Sequence, residues 1–373
     1  MVPFSWSFWG AVVEHAELQA AALRRLGADV RLIMGNDPPG QFTRVLHPRV
    51  GRHGDPPPEV IPIGRSVIVP ANGSLPNIIL SPRAILRIRR VLGLRLVKKT
   101  VNQDDPTVYH LFYADEEASA GADLTFFEYP GARRGRPGAG MVHTIVYRVG
   151  STEALDFWAQ RLGREGVEVA RGDGGLTFAD PEGVRYELAV VDTEEEPLVA
   201  EHPDVPRELA LQGFEGVRAF SAAPEPSRRL LEEVLGFEPA GEGGWVARGE
   251  GRSGWIRYDA PPGDRGSGGA GTVHHIAWAT TVEDHAAWRQ RVAEAGYQPT
   301  PVIDRFYFKS VYFREPSGVL FELATLGPGF ATDEEQAHLG ERLSLPPAFE
   351  HLRERIEPAL TPLPDPRASW TSS

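Results

Sequence analysis

An α+β fold made of repeated βαβββ modules is what this chain of 373 residues predicts, and three internal echoes carry that prediction. Val91-Leu92-Gly93-Leu94 returns as Val234-Leu235-Gly236-Phe237. Ala139-Gly140-Met141-Val142-His143-Thr144-Ile145 returns as Ala270-Gly271-Thr272-Val273-His274-His275-Ile276. Asp180-Pro181-Glu182-Gly183-Val184-Arg185-Tyr186-Glu187-Leu188 returns as Glu315-Pro316-Ser317-Gly318-Val319-Leu320-Phe321-Glu322-Leu323. Between these markers sit amphipathic helices, Glu153–Leu162 and Val282–Ala295, and short strands such as Ser310–Arg314. Each unit therefore reads strand, helix, then three strands, with units beginning near residues 74, 141, 213 and 272.

Composition narrows the chemistry. Hydrophobic residues make up 41% and charged residues 24% of the chain, as in ordinary globular proteins. The net charge of −12 argues against a nucleic-acid surface. With 0 Cys, disulfides, thiolate metal sites and a cysteine nucleophile are excluded, so any metal must use His, Asp or Glu. No apolar run is long enough to span a bilayer. Met1-Val2-Pro3-Phe4 lacks a basic n-region, which makes the cytoplasm the expected compartment. The 40 Gly and 33 Pro favour many short elements over long helices.

Residues 1–92 read differently. Ala11–Leu26 is a helical pattern stopped by Gly27, Val30–Met34 a strand, and residues 35–62 a Pro- and Gly-rich connection. Phe4-Ser5-Trp6, the Ala21–Val30 helix-to-strand turn, Gly64-Arg65-Ser66-Val67 and Pro70-Ala71-Asn72-Gly73-Ser74 together resemble the start of phosphatidylinositol mannosyltransferase-like glycosyltransferases. That resemblance implies a partial Rossmann-like α/β fragment. It ends near Leu92, and the nucleotide-sugar domain is absent, so it implies no glycosyl transfer. Asn77-Ile78-Ile79-Leu80 reads as a strand, and Pro82–Val91, capped by Ser81, as a helix.

From Gly93 the text changes. Gly93-Leu94-Arg95-Leu96-Val97-Lys98-Lys99-Thr100-Val101-Asn102-Gln103-Asp104-Asp105-Pro106, Asp123-Leu124-Thr125-Phe126-Phe127-Glu128 and the fourth unit resemble the vicinal oxygen chelate superfamily. Within it they are similar to ring-cleaving dioxygenases for hydroquinone-type substrates. The resemblance covers residues 93–365 and implies curved mixed sheets that enclose a metal. It divides the chain into residues 1–92, which supply or replace the first strand and helix of module one, then 93–205 as the first module pair with module one truncated. Residues 206–330 form the second pair with the metal site, and 331–373 a helical, Pro-rich tail. Helices are expected at Thr332–Arg342 and Ala348–Ile356.

Thr272–Trp278 and Val319–Leu323 read as buried strands, each with one metal-ligand side chain, His275 and Glu322. Two His and one carboxylate hold non-haem Fe(II) on one face and leave positions open for substrate and dioxygen. The resemblance assigns His275 and Glu322 as ligands, with His274, Arg305 and Tyr312 as catalytic neighbours. Arg305 would stabilise a phenolate, and Tyr312 or His274 would move a proton. The family's remaining ligand, a His about eighteen residues before the Val-Leu-Gly turn, falls at Gly73, which has no donor. His110 and His143 are the candidate substitutes or pocket-lining residues. The implied cofactor is Fe(II), with Mn(II) the other divalent ion. The implied partners are a small aromatic diol and dioxygen, and no oligomeric state is set.

Three readings follow. The chain is an Fe(II)-dependent ring-cleaving dioxygenase-like protein impaired by the missing His, a non-catalytic binder of aromatic ligands on the same fold, or a fusion without selected function. The helix Ala11–Leu26 has an apolar stripe but lacks the sheet it would pack against. Limited proteolysis is therefore expected to cut first between Gly35 and Pro62, and a resistant N-terminal region would contradict this.

Overall fold

Short apolar runs between Gly and Pro become strands, and their pairing follows one rule throughout. The computed structural model describes Ala20 and residues 24–25, 31–34, 60–62, 78–79, 91–129, 132–172, 174–263, 266–363 and 367. Two units are distinguished, Met1–Asn72 and Gly73–Ser373. In the first, β1 (Leu32–Met34) pairs in parallel with β2 (Val60–Pro62), Leu32 opposite Val60. The end of the expected connection 35–62 is thus a strand. Val60-Ile61 is apolar, and Pro62 at the strand's end breaks no interior ladder. Ala20, Arg24 and Arg25 are helical. The rest of the helix expected over Ala11–Leu26 lies outside the described residues, as does Pro82–Val91 except for its last residue, which is helical with Leu92.

The second unit contains β3 (Ile78–Ile79), β4 (Arg95–Val101), β5 (Tyr109–Ala114) and β6 (Leu124–Phe127). Next come β7 (Met141–Val149), helix α1 (Thr152–Arg164), β8 (Val169–Gly172), β9 (Gly175–Ala179) and β10 (Arg185–Val190). The third module is β11 (Phe214–Phe220), a 3-10 turn and a π-helical turn at Leu230–Val234, then β12 (Glu238–Pro239), β13 (Gly244–Arg248) and β14 (Ser253–Asp259). The fourth is β15 (Ile276–Thr280), α2 (His285–Glu294), β16 (Ile303–Asp304), β17 (Lys309–Arg314) and β18 (Leu320–Thr325). In every module the order across the sheet is first, fourth, third, second, with the first and fourth parallel. Modules two and three merge into an eight-stranded sheet because β7 and β11 pair antiparallel, Thr144 opposite Arg218. Modules one and four keep separate four-stranded sheets.

The repeated Asp/Glu-Pro-x-Gly text is a turn that launches the fourth strand. Asp180 Oδ1 accepts the backbone N–H groups of Glu182, Gly183 and Val184 at 2.9, 2.7 and 2.9 Å. Glu315 takes those of Ser317 and Val319, both at 2.9 Å. Gly183 and Gly318 have φ of 101° and 100°, a region that costs residues with a Cβ. The carboxylate satisfies N–H groups that the turn would otherwise bury unpaired.

Helix α1 shows how a module closes. Ser151 caps it, accepting from the Ala154 N–H at 3.2 Å, and Arg161 and Arg164 complement the dipole in the last turn. Ala154, Leu155, Trp158 and Leu162 form the buried stripe. They share one core with Ile145, Tyr147, Tyr186 and Leu188 of β7 and β10. The helix α2 starts at His285, later than Val282, because Thr281 and Asp284 cap one another across the preceding turn.

The expected helix Thr332–Arg342 is absent, replaced by 3-10 turns at Phe330–Thr332 and Gln336–His338. Cations of β4 draw this stretch out. Lys98 Nζ, fully buried, binds Asp333 at 2.7 Å and Glu334 at 2.5 Å. The Arg95 guanidinium donates to the carbonyls of Gln336 and Ala337 at 3.0 and 2.9 Å. Those carbonyls are thereby committed to β4 instead of to a helical ladder. The second expected helix is two short ones, α3 (Pro347–Glu350) and α4 (Arg353–Ile356).

Trp158→Ala should destabilise the second unit by about 3–5 kcal/mol, as a large cavity in a shared core does. Ser151→Ala should cost only about 1 kcal/mol, the worth of one cap. Equilibrium urea unfolding of both variants checks the ratio, and equal losses would contradict this account of the helix.

Candidate active site

The parallel pairing of β15 and β18 sets Ala277 opposite Glu322, so the imidazole two residues upstream reaches the carboxylate. His275 Nε2 lies 2.8 Å from Glu322 Oε2, and both side chains are largely buried. Tyr312, on β17, is directly opposite Glu322, and its ring meets that of His275 edge-on, with centroids 5.5 Å apart. His274 Nδ1 is 3.0 Å from His275 Nδ1. His275 Nε2–H donates to Glu322, and a single proton lies between the two facing Nδ1 atoms, an assignment made from the hydrogen-bond network.

Arg305 enters from the loop before β17. Its Nη2 is 3.2 Å from Asp104 Oδ2, and its carbonyl accepts from Gln103 Nε2 at 2.6 Å. Module one thus grips a residue of module four. His110, on β5, stacks on Phe127 with centroids 4.2 Å apart and lies 4.0 Å from the Phe112 ring. Burial, then the charges of Arg305 and His275, hold its imidazole well below its usual pKa. The structure therefore brings His274, His275, Tyr312 and Glu322 into contact, with Arg305 and His110 near enough to feel their charges.

Electrostatics sort their roles. Burial alone would raise the Glu322 pKa, but the His275 charge and hydrogen bond, with the Ser310 and Tyr312 hydroxyls, hold it below the usual carboxylate range. Neither hydroxyl bonds Oε1, which is buried without a hydrogen-bond partner among the described residues. His274 is pushed down to about 3 by burial, then by His275 and Arg314, so its ring is neutral. Burial and the Glu322 charge push the Tyr312 phenol up, which keeps its proton on. Burial lowers and Asp104, Tyr312 and Glu322 raise the Arg305 pKa, and the net direction is up.

His143 is elsewhere. It sits on β7, with Nδ1 2.9 Å from Thr144 Oγ1, Nε2 3.1 Å from Asp259 Oδ2, and its ring stacked on Phe220 at 3.8 Å. All these partners belong to the eight-stranded sheet, so the structure does not bring His143 to His275 and Glu322. The register explains it. Val146 is opposite Glu187, as Ala277 is opposite Glu322, so Thr144 holds the place of His275 and His143 faces the other way.

The chain has relatives among known proteins. Residues 89–188 and 217–323 match the Glyoxalase/Bleomycin resistance protein/Dioxygenase superfamily. The chain belongs to that superfamily. It is 43% identical over 281 residues to MhqO of Bacillus subtilis (strain 168), whose name gives it provisionally as a ring-cleaving dioxygenase; the match covers 73% of this chain and 89% of the relative. The chlorohydroquinone/hydroquinone 1,2-dioxygenase of Sphingobium indicum is 32% identical, over 72% of this chain and 88% of the relative. A crystal structure of a provisionally named dioxygenase from Bacillus subtilis superposes with a TM-score of 0.71 at 38% identity, covering 78% of this chain and 96% of that one.

The superfamily's implied metal can be tested against the donors present. Glu322 Oε1 is an orphaned buried anion oxygen, and His275 Nε2 is freed for a cation once that ring carries its proton on Nδ1 and donates it to His274 Nδ1, with the His274 proton on Nε2. Those two groups would hold a divalent ion. Among the described residues no third His, Asp or Glu joins them in metal-binding geometry. Ile79 is opposite Phe127 as Ile276 is opposite Phe321, so the register gives Ile78 the place in module one that His275 has in module four. Gly73, reached by counting, lies outside the described residues. Sequence reasoning missed Ser310, beside Glu322, and the Gln103-Asp104 pair that holds Arg305. The only signal for that pair was an acidic turn inside the family-like text.

Proposed function

We propose that this chain is a ring-cleaving-dioxygenase-like protein for small dihydroxylated aromatics such as hydroquinones, with a two-donor site, His275 and Glu322, for Fe(II) or Mn(II). The observation that carries the reading is the buried Glu322 carboxylate, paired on one oxygen and orphaned on the other, beside His275. When bound, iron would let the diol and dioxygen react side by side. The chain's own groups have separate tasks. Arg305 is a fixed cation for a substrate phenolate. Tyr312, with its proton held on, donates a hydrogen bond to a substrate oxygen, and His274 fixes the His275 tautomer. His110, with Phe112 and Phe127, offers an aromatic wall for the ring.

The missing donor at the Ile78 register position makes the site weak. Loss of a mere outer partner costs about 10–100-fold in metal affinity, and loss of a ligand costs more. It also leaves substrate and dioxygen less well oriented. The aromatic wall also supports a second reading, a binder of aromatic ligands without turnover.

Anaerobic Fe(II) loading of the purified chain is expected to give well under one iron per chain, with slow or undetectable hydroquinone-dependent oxygen uptake. Full occupancy with rapid uptake would overturn the impairment and point to a substitute ligand, with His110 the first to change. Ile78→His should raise iron occupancy, whereas Gly73→His should not. Equal rescue by both, or by neither, would contradict the register argument.

A further inference from the structure

We propose that the segment after β18 sets the position of Arg305, with Tyr307 and Asp333 as its positioning residues; this rests on the reading of Arg305 as a substrate-facing cation. Arg305 sits at the head of a turn held at every residue. Its N–H donates to the Phe308 carbonyl at 2.9 Å, and its carbonyl accepts from the Tyr307 N–H at 2.8 Å. Phe306 has φ 68°, a left-handed conformation that persists in a non-glycine residue only where its surroundings over-determine it. The Asp304 carboxylate does part of this, accepting the Phe306 N–H at 2.8 Å.

The rest comes from Tyr307, whose side chain is buried. Its hydroxyl donates to Asp333 Oδ2 at 2.9 Å, and its carbonyl accepts the Gly329 N–H at 2.8 Å. The other Asp333 oxygen binds the buried Lys98 ammonium, which lies 4.5 Å from the Tyr307 ring centroid. One carboxylate therefore ties a strand of module one, the tail and the Arg305 turn together. On the far side, Asp104 and Gln103 fix the guanidinium and the carbonyl. A long, flexible side chain becomes an oriented donor only when its backbone is fixed, and here the tail fixes it.

Tyr307→Phe removes one hydroxyl and keeps the ring, so it isolates the link. Hydrogen–deuterium exchange over residues 303–309 should speed up roughly ten-fold or more, the effect of losing one hydrogen bond to a charged acceptor. Asp333→Asn, which keeps an acceptor for the phenol, should stay closer to the wild type. Anaerobic calorimetric titration with hydroquinone should show weaker binding in Tyr307→Phe and in Arg305→Ala. The double variant should bind no worse than Arg305→Ala alone, because Tyr307 acts through Arg305. Unchanged exchange, or additive losses in the double variant, would overturn the proposal. If the wild-type chain does not bind hydroquinone, the functional reading fails, and the exchange measurement alone then decides whether the tail positions Arg305.

Discussion

The parallel contact between the first and fourth strand of a module is the constraint on which the site depends. It fixes which residue lies opposite the glutamate of the fourth strand and hence what can reach its carboxylate. In module four that register delivers His275 to Glu322. In module two it delivers Thr144 to the same place, and Glu187 turns instead to Arg218 at 2.9 Å. In module one Ile78 holds the corresponding place. One backbone rule, applied to different side chains, thus separates an imidazole–carboxylate pair from a guanidinium–carboxylate pair.

The same rule explains an asymmetry between the halves. β7 and β11, both first strands, pair with each other and fuse two modules into a single sheet. β15 is also a first strand, but its outer edge has no strand partner among the described residues. The partner it would need is the first strand of module one, which here is the two-residue β3. The superfamily match likewise begins at residue 89, after β3. Among the described residues, modules one and four are bridged by Gln103 and Asp104 on Arg305 and by Lys98 on the tail.

Legibility followed the same physics. The Asp/Glu-Pro-x-Gly turn is written locally, in a carboxylate, a proline and a glycine that needs positive φ, so the repeat and the strand order were readable. Glu322 was readable because it interrupts an apolar strand, and His275 because it stands next to one; the strand expected over Thr272–Trp278 begins only at Ile276, so His275 lies just before it. The tail was not. An acidic stretch such as Thr332–Arg342 has helical composition, and only the buried cations Arg95 and Lys98 on a strand far off in sequence reveal why it unwinds. The register of β3 was unreadable for a related reason. Counting back from Val91 relies on a spacing that the resemblance alone supplies, whereas the ladder to Phe127 fixes the register directly.

The three aligned glutamates make an internal control for the metal reading. A buried carboxylate is stable only with a counter-charge or enough hydrogen bonds. Glu187 has the Arg218 guanidinium, which Asp259 shares at 3.7 Å. Glu128 accepts from the Thr361 hydroxyl of the tail at 2.6 Å, and burial nonetheless raises its pKa. Glu322 is held on the ionised side by His275, yet its second oxygen is buried with no partner among the described residues. Modules one and two meet the requirement from within the chain. Module four leaves it open on the carboxylate that His275 pairs on its other oxygen. An added cation would complete that carboxylate's surroundings, and neither of the other two glutamates has the same need.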